Sequence, residues 1–275
     1  MDREITFFYC VVEDLFKAMH LKEDSQVHMN NAEVVTVALT AARFFGGNLE
    51  RSREFLREGK YILNMLSKSR LCRRLHTIPD EFWQLLPLNL PGVQQEVQTV
   101  KEFIIDSFPI PVCDNIRIPR RHLYKDEQYR GKCVSKRRYF LGLKAHILMT
   151  SDYHPIEWML TAGSENDCKA FDRFALNLPE GSLIYADAIY TNYEIEDLLL
   201  ETGNIKLKSQ RKANSKRPRS GCAEYIIKAL RKKIETGFSV LTNLFPKTIH
   251  ATTDKGFALK CAFFIGAFSC WQCFS

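Results

Sequence analysis

Phe103-Ile104-Ile105-Asp106-Ser107-Phe108 is the stretch that decides how this chain is read. Its β-branched and aromatic residues describe a short strand, with a single carboxylate in the middle. An unpaired carboxylate in an apolar strand costs several kcal/mol, so Asp106 must be protonated, paired with a base or bound to a cation. Buried acids of that kind are rare. Pro109 and Pro111 follow closely. Proline cannot donate to a sheet ladder, so the strand is expected to end before them.

Outward from this strand the periodicity differs on the two sides. Upstream it is helical. Phe7, Val11, Val12, Leu15, Phe16 and Met19 recur at helical spacing. Asn31 is the expected N-cap of the next helix, and Gly46-Gly47 its stop. Further helices are expected over 49–66 and 81–86, and the proline-bearing stretch 87–93 marks a boundary. Downstream, strands are expected over 139–149, 156–160, 183–186 and 205–207. Helices are expected over 167–176, 194–200 (with Gly203 as its stop), 225–244 and 256–268. Three strands, helix, strand, helix, strand, helix is the order of an RNase H-like mixed sheet flanked by helices, an order other α/β folds share. The expected organisation is a small all-helical region over 1–92, a candidate for DNA-end binding, followed by an α/β domain over 93–275.

The acids fall at telling places on this plan. Asp187 comes directly after the 183–186 strand, where ligands gather at the carboxyl edge of open α/β sheets. Glu235 lies on the 225–244 helix beside the apolar stripe Ile227, Leu230, Ile234, Phe238, Leu241 and Phe245, with Arg231 one turn before it. Asp187 alone also reads as a turn cap, and Glu235 with Arg231 as a surface pair. Together, three carboxylates from separate elements suit a site for two divalent cations that cleave and join phosphodiesters.

Local strings sharpen this. Ile105-Asp106-Ser107-Phe108-Pro109-Ile110-Pro111-Val112-Cys113 resembles the first-Asp segment of bacterial insertion-sequence DDE transposases. Tyr185-Ala186-Asp187-Ala188-Ile189-Tyr190 is similar to their second-Asp segment, and Arg231-Lys232-Lys233-Ile234-Glu235-Thr236 to their third. Gly142-Leu143-Lys144-Ala145-His146 and Asn166-Asp167 resemble stretches between the first two. The resemblance implies an RNase H-like catalytic domain, with Asp106, Asp187 and Glu235 as catalytic and metal-binding residues. It also implies two Mg2+ or Mn2+ ions, terminal inverted repeats and target DNA as partners, and a homodimer on DNA. Relatives often carry a Tyr three residues before the Arg and a Lys seven after the Glu; here those positions are Lys228 and Thr242. A nuclease without strand transfer, or a DNA-binding remnant that no longer cuts, is the alternative reading. The apolar end of the chain at Ser275 also fits a shortened copy.

Charge agrees with a polyanionic partner more by distribution than by amount. The chain of 275 residues carries a net charge of +7 with 26% charged and 45% apolar residues, an ordinary globular balance. Residues 206–219 hold seven basic side chains and no acid. Lys206, Lys208, Arg211, Lys212, Lys216, Arg217 and Arg219 are the expected DNA contacts, with Lys144 and Arg231. A second basic cluster runs from Arg117 to Arg138, with Tyr124 and Tyr129 interleaved as candidates for base stacking or simple packing. Nine scattered cysteines do not form a secreted framework. The apolar stretch 261–271 is shorter than the roughly 20 residues of a membrane span. A reduced, cytoplasmic protein, nucleoid-associated when on DNA, is the expectation.

Overall fold

The fold is that of a computed structural model, which describes residues 1–275 except 25, 115–117, 120–121, 134–137, 212–213 and 275, and omits the side chains of 114, 231, 233 and 234. The chain divides into two compact units, Met1–Pro91 with Asn243–Ser275, and Gly92–Thr242.

The first unit is helical, with α1 (Asp2–Ala18), α2 (Asn31–Phe44), α3 (Leu49–Glu58), α4 (Lys68–Thr77) and α5 (Asp80–Leu85). Helix α2 is capped by Asn30 rather than Asn31. The Asn30 side chain accepts from the Glu33 amide at 2.7 Å, and the Glu33 carboxylate accepts from the Asn30 amide at 2.8 Å. The spacing to Glu33 selects Asn30 as the cap. The helix expected over 49–66 stops at Glu58, where Lys60 turns into the left-handed region. Helix α4 escaped the sequence reading because Leu71 and Leu75 are its only buried anchors, set among basic residues.

Residues 243–275, expected in the α/β domain, group instead with the N-terminal helices. The C-terminal helix Asp254–Gln272 is buried from Cys261 to Cys270 on all sides, as is α2 from Val34 to Ala42. A helix apolar all round belongs in a helical core, not on one face of a sheet. Gly266 lets the two helices approach, since a Cβ there would stand 3.2 Å from Leu39 Cδ2 and 3.0 Å from Leu86 Cδ2.

The second unit contains α6 (Val93–Thr99), β1 (Glu102–Asp114), β2 (Arg130–Cys133), β3 (Arg138–Thr150), β4 (Pro155–Ala162), α7 (Asp167–Phe171), β5 (Leu183–Ala186), α8 (Tyr193–Gly203), β6 (Lys206–Ser209) and α9 (Gly221–Leu244). The main sheet order is β4-β3-β1-β5-β6, with β3 antiparallel to both β1 and β4, and with β1, β5 and β6 mutually parallel. The short β2 shares the outer edge of β3 with β4, end to end. This is the RNase H-like mixed sheet expected from the element order.

Strand β1 runs straight through both prolines, against expectation. Glu102 turns its carbonyl to Ser151, on the β3 side, and Lys101 turns its carbonyl to Leu183, on the β5 side. Alternation then points the nitrogens of 109 and 111 toward β5, whose pairing with β1 ends at Ile104–Tyr185. No ladder bond is lost, so the prolines are tolerated. The helix expected over 167–176 shortens to Phe171 because Glu157 of β4 accepts from the amides of Ala175 (2.7 Å) and Leu176 (3.2 Å). Asn204, in the left-handed region, ends α8 one residue beyond the expected Gly203.

Gly142 of β3 passes close to the β1 backbone, since a Cβ there would lie 2.3 Å from the Ile110 carbonyl oxygen. Gly142→Ala is expected to lower stability by about 1–3 kcal/mol, read as a fall in the urea midpoint. An unchanged midpoint would show that the strands can part there without cost.

Candidate active site

The parallel pairing of β1 with β5 decides where the first two acids stand. Ile104 pairs with Tyr185, and Asp106 and Asp187 each lie two residues further along. Alternation returns both to the face that carries Ile104 and Tyr185. Asp187 keeps an extended backbone (φ −69°, ψ 163°), so the parity holds to that residue. On the same face the Tyr185 hydroxyl donates to Glu102 at 3.1 Å.

Asp106 is half-buried rather than enclosed, because β5 no longer flanks β1 at that level. One of its oxygens accepts from the Ser107 amide at 2.8 Å. Asp187, also half-buried, accepts from the Ala188 amide and caps the 3-10 turn Ala188–Tyr190. The turn-cap reading of Asp187 is therefore correct as far as it goes. A carboxylate offers several acceptor sites, so the cap alone does not exhaust it.

Helix α9 approaches this same face. Phe238 meets Phe108, two residues beyond Asp106, edge-on at 6.5 Å between ring centres. Gly237 lies flat under the Tyr153 ring, where a Cβ would come within 2.1 Å of Cδ1. Glu235 is exposed, just under one turn before Phe238. Among the described residues, no three His, Cys, Asp or Glu side chains come close enough to hold a metal ion. Asp106 and Asp187 are thus brought level, and Glu235 stands on the helix laid over their face without joining them.

The other face of β1 holds a buried polar cluster that the sequence reading did not single out. Ser107 donates to Asp167 at 2.9 Å, and the Lys144 ammonium donates to the same oxygen at 3.1 Å and to the Glu165 carbonyl at 2.8 Å. His146 lies 3.6 Å from that oxygen and 3.0 Å from the Thr161 hydroxyl. Lys144, an expected DNA contact, sits on the interior strand β3 and is committed to Asp167, on the same face as Ser107. The Tyr190 phenol is buried, and burial first, then the carboxylates of Asp167, Asp106 and Asp187, push its pKa well above the ordinary value. Ser107 faces the phenol and opposes the shift, though no partner meets hydrogen-bond geometry at the Tyr190 oxygen. Its tyrosine thus reports negative potential from three acids at once. The signal for this cluster was present in Lys144, His146 and Asn166-Asp167, but polar residues inside a strand read equally as a solvated face.

The basic run 206–219 divides into two kinds. Arg211 makes a two-pronged bond to Glu196 at 2.7 and 2.5 Å, and Arg219 donates to the carbonyls of Ser209 (2.5 Å) and Leu207 (3.2 Å). Arg217 pairs with Asp197 and lies over the Tyr193 ring at 4.9 Å. Lys208 is half-buried, and burial, then Arg219, lowers its pKa. Lys206 and Lys216 are exposed. Lys212 and the Arg231 side chain lie outside the described residues, as do Arg117, Arg120, Arg121, Lys136 and Arg137. Tyr124 is buried against Tyr129 at 4.6 Å, which favours packing over base stacking for that pair.

Burial lowers the pKa of His146 to about 4, with Asp167 opposing and Lys144 reinforcing the shift. The unfolded chain takes up this proton near pH 6.5 and the folded chain only near pH 4, so stability falls as pH drops through that window. The loss is expected to reach about 3 kcal/mol at most. His146→Gln should flatten the pH dependence of the denaturation midpoint between pH 6.5 and 4. An equally steep dependence in the variant would place the acid sensitivity elsewhere.

Comparison with known proteins adds one match. No curated protein and no solved structure is significantly similar. Residues 96–253 match the family described as the transposase DDE domain. That span contains the mixed sheet, Asp106, Asp187 and Glu235, and exceeds half of the chain. The chain therefore belongs to the transposase DDE domain family.

Proposed function

We propose that this transposase cuts and rejoins the ends of a mobile DNA element by two-metal phosphoryl transfer, with Asp106, Asp187 and Glu235 as its carboxylates. The observation that carries the reading is the β1–β5 register, which sets Asp106 and Asp187 level on adjacent strands. Two carboxylates on one face of neighbouring strands repel each other and favour a cation between them. Their hard oxygen donors suit Mg2+ or Mn2+, which need few protein ligands and keep waters that a phosphate can replace. Two such ions, when bound, supply charge neutralisation at the scissile phosphate and an activated water or 3′-hydroxyl.

The residues of the chain hold and orient. Asp106 and Asp187 fix the site at the open end of the β1–β5 pair. Glu235 contributes from α9, one turn from the Phe238 anchor, once cations offset the repulsion among three acids. Lys206 and Lys216 track the phosphate backbone of terminal inverted repeats and target DNA. Two copies of the chain pair the two ends, in the cytoplasm on nucleoid DNA. Among the described residues, no helix is long and apolar enough to cross a membrane.

Asp106→Asn, Asp187→Asn and Glu235→Gln are each expected to lower Mg2+-dependent cleavage of an end-bearing duplex by at least about 10³-fold, with gel-shift affinity for that duplex retained. Cleavage that survives all three changes sinks the assignment. Supplying a 3′-hydroxyl end and a target plasmid separates the reactions, since only a transposase yields joined product. Wild-type protein that binds DNA but cuts with neither Mg2+ nor Mn2+ is a remnant.

Lys206→Ala and Lys216→Ala should each reduce the slope of log affinity against log salt by about 1. Arg211→Ala and Arg219→Ala should instead lower the melting temperature, because both arginines are spent on protein acceptors. An unchanged salt slope in both lysine variants removes this segment from the DNA interface.

A further inference from the structure

The short helix α7 touches both segments that carry the paired acids. At its head, Asp167 accepts from Ser107, the residue next to Asp106, at 2.9 Å. One residue on, Cys168 donates to the Ile189 carbonyl at 2.7 Å, within the 3-10 turn that Asp187 caps. At its last residue, Phe171 meets the Tyr190 ring edge-on at 6.0 Å. Phe171 and Tyr190 are each 1% exposed, so this contact is part of a packed interior. Beyond Ile104–Tyr185 the backbones of β1 and β5 no longer pair, so nothing in the ladder itself fixes the spacing of Asp106 and Asp187.

We infer that α7 is a brace and Asp167 a positioning residue: through Ser107 on one side and the Ala188–Tyr190 turn on the other, they hold Asp106 and Asp187 at the spacing a divalent cation needs. Asp167 is not itself a ligand of that site. It bonds Ser107, which points away from the face of β1 that carries Asp106, and its Oδ1 already receives Ser107 and Lys144. The Lys144 ammonium neutralises it, so it holds Ser107 without adding an uncompensated charge to the site. The contact of Phe171 with Tyr190 is one of ring packing, edge to face. The inference rests on the reading of Asp106 and Asp187 as metal ligands.

The test is a Mn2+ titration of the full chain without DNA, followed by electron paramagnetic resonance, beside thermal melting. Lys144→Met with Asp167→Leu replaces a buried ion pair by apolar side chains of similar size, an exchange that folds usually tolerate. This double variant is expected to melt at or above the wild-type temperature and to bind Mn2+ about 10-fold more weakly, as loss of outer supporting groups does. Asp167→Asn keeps an acceptor for Ser107 and Lys144, and should bind Mn2+ as the wild type does. Ser107→Ala leaves the ion pair intact and should weaken Mn2+ in the same direction by a smaller factor, which keeps the test open if the double variant does not fold. Wild-type Mn2+ affinity in Ser107→Ala, or in a folded double variant, overturns the brace, provided Asp106→Asn has lost the ion. Wild-type affinity in Asp106→Asn overturns the metal-site reading itself.

Discussion

Strands β1 and β5 run side by side for three paired positions and then part. While they pair, each backbone is fixed by the other. Where they part, backbone groups of β1 turn toward an open side, and three features exploit that opening. Pro109 and Pro111 pass through the sheet because no bond is asked of them there. Asp106 reaches solvent on one side while still rooted in a central strand. Asp187 emerges at the same level because β5 ends one residue before it. A longer β5 would have closed this gap and demanded amide donors from both prolines.

The two faces of β1 treat charge in opposite ways. Behind the strand, Asp167, Lys144 and His146 form a closed polar group in which carboxylate and ammonium answer each other. In front, Asp106 and Asp187 share a level, and both carboxylates, after burial and Asp167, push the pKa of the Tyr190 phenol up. A single strand thus has a buried ion-paired cluster behind it and two half-buried carboxylates in front.

Much of this was legible in the residues. The strand 183–186 and the acid beyond it could be placed to the residue, because a short β-rich run ends at an Asp with no competing pattern. Element order gave the RNase H-like sheet. The proline rule misjudged β1, since it treats a strand as paired on both sides along its whole length, and pairing partners are a property of the fold. The basic run 206–219 read as one DNA-facing segment, yet Arg211, Arg217 and Arg219 are bound to Glu196, Asp197 and backbone carbonyls. Composition cannot distinguish an arginine that meets phosphate from one that meets a carboxylate brought close by folding. Lys144 and Asp167 were noticed singly but not as a group with Ser107, because Asp167 stands 60 residues from Ser107 and 23 from Lys144 in the chain.

The helical unit is built from the two ends of the chain, with α2 and the C-terminal helix meeting where Gly266 faces Leu39. Synthesis on the ribosome proceeds from one end to the other, at about 5–20 residues per second. The apolar flank of α2 that belongs against Gly266 therefore emerges well before the Asp254–Gln272 helix that covers it. The intervening sheet has all of its strands in hand before then. In a growing chain α2 therefore has that apolar flank uncovered until Asp254–Gln272 follows it, while the strands of the sheet made in between can already pair.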